Sequence, residues 1–214
     1  MRNLQKLGKP PILQQNEATW LSDFLMDVRN ATKKYRYRDP DIKDQLTKET
    51  NYKCVYCESK IGHNTPGDIE HKIPSSKAPE LHFTWSNLTI ACNECNRRKN
   101  DYYEVGNAFV DPYVDDVETM IEHLGPFVSW QVGNGRAETS IRQLQLNSAE
   151  RLQIILRKMA KLDELGNCVE RYHAEADPLL RQLLKRQLFD MASSAGEYSA
   201  MVLSALKARG IFEG

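Results

Sequence analysis

Cys54-Val-Tyr-Cys57, Glu70-His71-Lys72-Ile73-Pro74 and Cys92-Asn-Glu-Cys95-Asn96 follow one another in a single short stretch of this chain, and their reading decides its fold. Zinc takes four thiolate or imidazole ligands in a tetrahedron, and two Cys-x-x-Cys knuckles supply them once a loop brings the pairs together. Residues 58 to 91 separate the pairs, room for two strands and the start of a helix. In so small a unit the metal supplies much of the folding free energy. Four unligated buried thiols are the bland alternative, and the repeated spacing argues against it. A four-cysteine site is closed, so Cys54, Cys57, Cys92 and Cys95 are expected to hold a structural Zn2+. Cys168 pairs with nothing in the pattern and is expected in the core.

At 214 residues the chain is long enough for one good core, or for a module with an accessory region. No apolar run nears the ~20 residues of a membrane span. The start, Met1-Arg-Asn-Leu-Gln-Lys, lacks the apolar stretch of a secretory signal. A cytoplasmic location is therefore expected, where thiols stay reduced and paired cysteines point to metal. Lys plus Arg balance Asp plus Glu at 29 each, which does not favour a strong non-specific nucleic-acid binder. The charge is uneven, however. Arg29, Lys33, Lys34, Arg36, Arg38 and Lys43 cluster before the cysteines, Arg97 to Lys99 close the module, and Asp111, Asp115, Asp116, Glu118 and Glu122 follow. The first cluster is either a solvated helix end or a phosphate track.

The expected fold class is α+β, mostly helical, in three parts: an N-terminal arm and helices (1–50), the cysteine module (51–103) and a C-terminal hairpin and helical region (104–214). Pro10-Pro11 suggests an extended arm up to about residue 15. Trp20, Leu21, Phe24, Leu25 and Val28 recur at helical spacing and predict a helix from about 17 to 33. Asp39-Pro40 reads as a cap and first helical residue of a second helix. Gly67 to Ile73 alternates like a strand, and a polar helix is expected from about 91 to 103. Gly133-Asn-Gly135, between 127–132 and 137–141, predicts a hairpin. Ser148 is expected to cap a helix to about 165, with Leu152, Ile155, Leu156, Met159 and Leu162 in one stripe. Further helices are expected at about 167–192, divided or kinked at Pro178, and at about 196–209. The acidic segment near 111–122 is the expected boundary after the module.

Hydrolysing a phosphodiester requires an activated water, a cation on the phosphate and leaving oxygens, and placement. His71 has the pKa range of a general base. Glu70 and the Asn96 amide oxygen suit a hard divalent ion, with Asp68, on the same strand face as Glu70, as a rival ligand. Asn87 is placed to fix the loop, and so the His71 ring. Lys99, one turn after Asn96, is expected to contact a phosphate. His63 and His82 lack ligand spacing and read as surface or loop residues; His123 and His173 read as surface residues.

This constellation resembles the HNH (ββα-metal) endonucleases, through Cys54-x-x-Cys57, Glu70-His71-x-x-Pro74, Asn87-Leu88 and Cys92-x-x-Cys95-Asn96-x-x-Lys99. The resemblance implies His71 as base, Glu70 and Asn96 as ligands of a catalytic ion, Asn87 as the orienting residue and nucleic acid, DNA before RNA, as substrate. Two positions depart from the commonest pattern: Glu70 stands where Asp is usual, and Asn96 replaces His, which favours Mg2+ or Mn2+ over zinc. The Pro10-Pro11 arm, Val110-Asp-Pro-Tyr-Val-Asp-Asp116, Thr139-Ser-Ile141 and Leu144-Gln-Leu-Asn147 are similar in layout to the HNH subunits of Septu-type antiphage systems, some of them retron-associated. That likeness implies a PtuA-like ATPase partner, and in retron systems a reverse transcriptase with its DNA. The alternative is a zinc-ribbon nucleic-acid-binding or adaptor protein without turnover. It explains the cysteines and the basic cluster but leaves Glu70, His71, Asn87 and Asn96 without a purpose.

Overall fold

A computed structural model describes residues 1–62 and 66–211, so His63 lies outside the described residues. The expected α+β, mostly helical class holds, with two small antiparallel sheets among the described residues. Helix α1 (Pro11–Met26) starts earlier than expected. Pro10 is its N-cap rather than part of an arm, because proline costs nothing at a helix start where the N–H has no partner anyway. The predicted single helix to residue 33 is broken: α1 stops at Met26, and the Asn30 side chain caps a short α2 (Ala31–Lys34) by accepting from Lys33 N–H. A 3-10 turn (Tyr35–Arg38) leads to α3 (Pro40–Glu49), which Asp39 caps as expected.

The module follows. The first knuckle turns through Glu58 at φ 60°, and Val55 N–H donates to Ile90 O at 3.1 Å. β1 (Asp68–His71) pairs with β2 (Leu88–Ala91) in the register Glu70–Thr89 and His71–Leu88. Gly67, at φ +66° before β1, has Ile61 Cδ1 only 3.0 Å from where a Cβ would stand, so no other residue fits without a shift. The short α4 (Asn93–Lys99) starts at Cys92 and packs on β1.

The predicted hairpin across Gly133-Asn-Gly135 is not formed. Asn134 accepts from Ala137 N–H and caps α6 (Gly135–Gln143), a competing use of the same turn residues. After the single turn α5 (Val117–Met120), β3 (Ile121–Leu124) pairs with β4 (Phe127–Trp130) around Gly125 at φ +61°. The acidic stretch is folded because most of its carboxylates are matched. Asp115 takes a two-pronged contact from Arg136 at 2.8 and 2.7 Å, Asp111 pairs with Lys72 at 2.6 Å, and Glu118 pairs with Arg2 at 3.2 Å.

Ser148 caps a 3-10 turn (Ala149–Arg151), and α7 (Leu152–Ala174) runs on past residue 165, without the break expected there. Its predicted stripe is only partly internal. Ile155 is buried, while Leu152, Leu156 and Met159 are exposed. Pro178 divides the helices, as first residue of α8 (Pro178–Ala192) capped by Asp177; α9 (Ser199–Ala208) is the last helix among the described residues. One buried cluster draws on residues from Met1 to Leu146 and so crosses the 103/104 division; a second, containing Cys168, spans Leu165 to Leu206. The two halves meet at the knuckle. Tyr198 Oη lies 3.0 Å from Ser59 Oγ, Ala200 N–H donates to Glu58, and Lys53 Nζ donates to Gly196 O. No helix among the described residues is long and apolar enough to cross a membrane.

Candidate metal centre and active site

The four sulfurs of Cys54, Cys57, Cys92 and Cys95 lie within 4.8 Å of one another. Zinc–sulfur bonds of about 2.3 Å in a tetrahedron put sulfurs about 3.8 Å apart. Cys57 Sγ and Cys92 Sγ stand at 3.8 Å. The donor set therefore fits zinc. Its four thiolates would leave the centre doubly negative, and two buried cations face it from the C-terminal half. Arg151 donates through Nη2 to Cys95 Sγ at 3.3 Å and through Nη1 to Leu144 O at 2.9 Å. Lys158, also buried, acts on Cys57 and Glu58 through space. The distance along the chain, from 95 to 151, hid this partnership from the sequence.

Beside this centre, β1 carries Glu70 and His71 on successive positions, so their side chains leave opposite faces of the strand. His71 Nε2 lies 2.8 Å from the carbonyl oxygen of His82. A carbonyl only accepts, so Nε2 carries the proton and Nδ1 keeps a lone pair. The ring is clasped by aromatics: His82 stacks on it at 4.7 Å and 12°, and Tyr37 meets it edge-on at 4.7 Å. Phe24 stacks on His82 in turn at 4.2 Å. Burial, reinforced by the neighbouring His82, pushes the His71 pKa down to about 3. The imidazole is thus neutral at working pH, with the Nδ1 lone pair unprotonated.

His82 is buried in a loop, with Nε2–H donated to Lys34 O at 2.7 Å, so of the surface and loop readings the loop one holds. The surface reading of His123 is corrected: both its ring nitrogens are buried without a partner among the described residues. His173 is exposed, as expected. Neither His82 nor Tyr37 carries a sequence signal, since each reaches His71 only through the fold.

Asn87 accepts from Ile73 N–H at 2.8 Å and donates to Ile73 O at 3.0 Å and Leu81 O at 3.2 Å. These bonds fix the segments after His71 and before His82. Glu70 is buried, and its carboxylate pairs with Lys99 Nζ at 2.5 Å. Burial raises the Glu70 pKa to about 7 against the pull of Lys99. Lys99 also donates to His71 O at 2.9 Å and is only 2% exposed. The expectation that Lys99 contacts a phosphate is therefore corrected, because its ammonium is enclosed and already bonded. Asn96 is half-buried, with Nδ2 3.5 Å from Asp68 Oδ2, so the carboxylate of Asp68 and the Asn96 amide converge at the edge of the sheet.

Residues 54–102 match the family model described as HNH endonuclease. This module is similar to HNH endonuclease domains. The chain that carries it is accordingly a nuclease, and it resembles PtuB over most of its length. It is 27% identical over 218 residues to Septu protein PtuB of Bacillus thuringiensis, covering 96% of this chain and 82% of that protein. To Septu protein PtuB of Bacillus mycoides strain KBAB4 it is 27% identical over 183 residues, covering 66% of this chain and 62% of that protein. The HNH domain thus occupies less of the chain than the likeness to PtuB does, which reaches into the helices that clamp the knuckle.

Proposed function

We propose that the chain is the metal-dependent effector nuclease of an antiphage defence complex in the cytoplasm, cutting DNA by preference and RNA as the alternative, with a PtuA-like ATPase subunit as partner. Where such a system carries a retron, its reverse transcriptase and DNA join the assembly. The observation that carries the reading is the His71–His82 bond, which leaves Nδ1 of a neutral imidazole with a lone pair to serve as the base. In this reading His71 Nδ1 takes a proton from a water as its oxygen attacks phosphorus, and the leaving 3′ or 5′ oxygen departs on the far side.

Glu70 and Asn96 would hold the Mg2+ or Mn2+, with Asp68 as the rival carboxylate beside Asn96. Such an ion supplies positive charge to the phosphate and the leaving oxygen. Glu70 already has Lys99 as counter-ion, so its engagement exchanges one cation for another. Asn87 holds both ends of the 73–81 loop and with it the base.

The second reading, a zinc-ribbon module without turnover, has the Glu70–Lys99 pair on its side, since that carboxylate is already neutralised. A magnesium-dependent nicking assay on plasmid DNA and on RNA, with and without the ATPase subunit, separates the two. Metal-dependent cutting that His71→Ala abolishes supports the nuclease; binding without cutting under every condition supports the adaptor.

A further inference from the structure

We propose that Lys33, Lys34, Tyr35 and Arg38 form the track along which a single nucleic-acid strand approaches His71, the cations on its phosphates and the Tyr35–Arg38 pair as a platform for an unpaired base. The proposal rests on the nuclease reading of His71. It starts from where positive charge is left uncompensated. After the second cysteine pair, Arg97 is matched by Glu94 at 2.8 Å, Arg98 by Glu94 and Glu150 at 2.5 and 3.0 Å, and Lys99 by Glu70. Lys72, next to the base, pairs with Asp111, and Arg36 pairs with Asp23 at 2.6 Å. No carboxylate lies within ion-pair distance of Lys33, Lys34 or Arg38 among the described residues; Asp23 and Asp68 interact with Lys33 and Arg38 only through space. Free cations, not internally matched ones, release counter-ions when phosphates bind.

These residues sit beside the reacting centre. Tyr37, two positions from Tyr35, has its ring centroid 4.7 Å from that of His71, and the Lys34 carbonyl receives His82 Nε2–H. Lys34 acts on the His71 ring through space, and Asp68 acts on Arg38. The Arg38 guanidinium lies over the Tyr35 ring at 4.2 Å, and Tyr35 is 41% exposed. Arg38 also bonds the Tyr37 side chain, and its remaining N–H donors can take a phosphate while the exposed Tyr35 side chain offers a surface to a base. Stacking of this kind needs an unpaired base, which is why a single strand rather than a duplex is the ligand.

The test is binding, measured by fluorescence anisotropy on the full chain with no added divalent ion, so that turnover plays no part. The probes are labelled single-stranded DNA, single-stranded RNA of the same sequence, and the duplex. Tyr35→Ala and Arg38→Ala are each expected to weaken single-strand binding about 5- to 50-fold. Lys33→Ala with Lys34→Ala should reduce the slope of log K against log salt by about 1.4. Arg97→Ala, whose partner is Glu94, should change binding less than about twofold, and thermal melts check that every variant is folded. The tighter of the two single strands identifies the natural source. Wild-type affinity in Tyr35→Ala and Arg38→Ala, an equal loss in Arg97→Ala, preference for the duplex, or no binding of any probe would each overturn the track. Loss of binding in these variants, alongside a wild type that cuts nothing even with its ATPase partner, would leave the track standing and fail the nuclease reading instead.

Discussion

His71 and His82 are bound twice over: the ring nitrogen of one donates to the carbonyl oxygen of the other at 2.8 Å, and their imidazoles stack with centroids 4.7 Å apart. The loop that ends at His82 is pinned by Asn87, which bonds Ile73 on one side and Leu81 on the other. Removing that side chain frees the acceptor that fixes Nε2. Asn87→Ala should cost about 1–3 kcal/mol of stability through the polar groups it strands. Cleavage should fall on the order of 100-fold because the base loses its placement. Denaturant unfolding and single-turnover cleavage measure the two; wild-type cleavage in a folded Asn87→Ala protein would refute the positioning role.

Arg151 offers a prediction about the zinc centre that does not involve catalysis. Its bond to Cys95 Sγ stabilises thiolate charge from outside the HNH domain. Arg151→Met keeps most of the packing volume and removes the donor. Zinc affinity, measured by competition with a chromogenic chelator, should fall about 10- to 100-fold. Unchanged affinity would mean that Arg151 serves packing alone.

The cysteines themselves should behave as a unit. Cys54→Ser or Cys92→Ser is expected to lose zinc and cooperative unfolding together, because two knuckles without an ion have little else to join them. Cys168→Ser, far along the chain in the second cluster, should keep full zinc content. Metal analysis alongside circular dichroism checks both, and a zinc-free yet natively melting Cys54→Ser protein would count against a structural site.

Acid should unfold this protein in part through His123. Burial, with the Met1 amine and Lys158 adding to it and Glu58 opposing, pushes its pKa down to about 3. An unfolded histidine titrates near about 6.5. The unfolded chain thus binds the proton first, so the stability His123 contributes is complete above about pH 6.5 and is lost progressively as pH falls toward about 3. The loss reaches on the order of 2 kcal/mol by about pH 5. His71 and His82 are shifted the same way, so His123→Phe should flatten the fall in Tm without abolishing it. An unaltered pH slope in that variant would show that the ring does not titrate between the two states.

Much of the module was legible because its signals are local. Cys-x-x-Cys spacing, the strand alternation after Gly67 and the Asp39-Pro40 start each act within a few residues, and each stands close to where expected. What failed was choice between two uses of the same residues. Gly133-Asn-Gly135 suits a hairpin or a helix start, and the pairing of β4 with β3 left Asn134 to cap α6. The acidic segment read as a boundary because its partners Arg2, Lys72 and Arg136 lie far away in sequence. The same blindness hid His82 behind His71 and Arg151 behind Cys95, and it gave Lys99 a phosphate when the fold gives it Glu70.

The central claim is that a neutral His71 does the chemistry on a scaffold that stands without it. His71→Ala should be tested for magnesium-dependent cleavage in the presence of the ATPase subunit, with zinc content and melting temperature measured on the same preparation. Cleavage is expected to fall by at least about 100-fold, the usual contribution of a positioned base, with zinc and melting nearly unchanged. A His71→Ala protein that cuts at the wild-type rate would contradict the account.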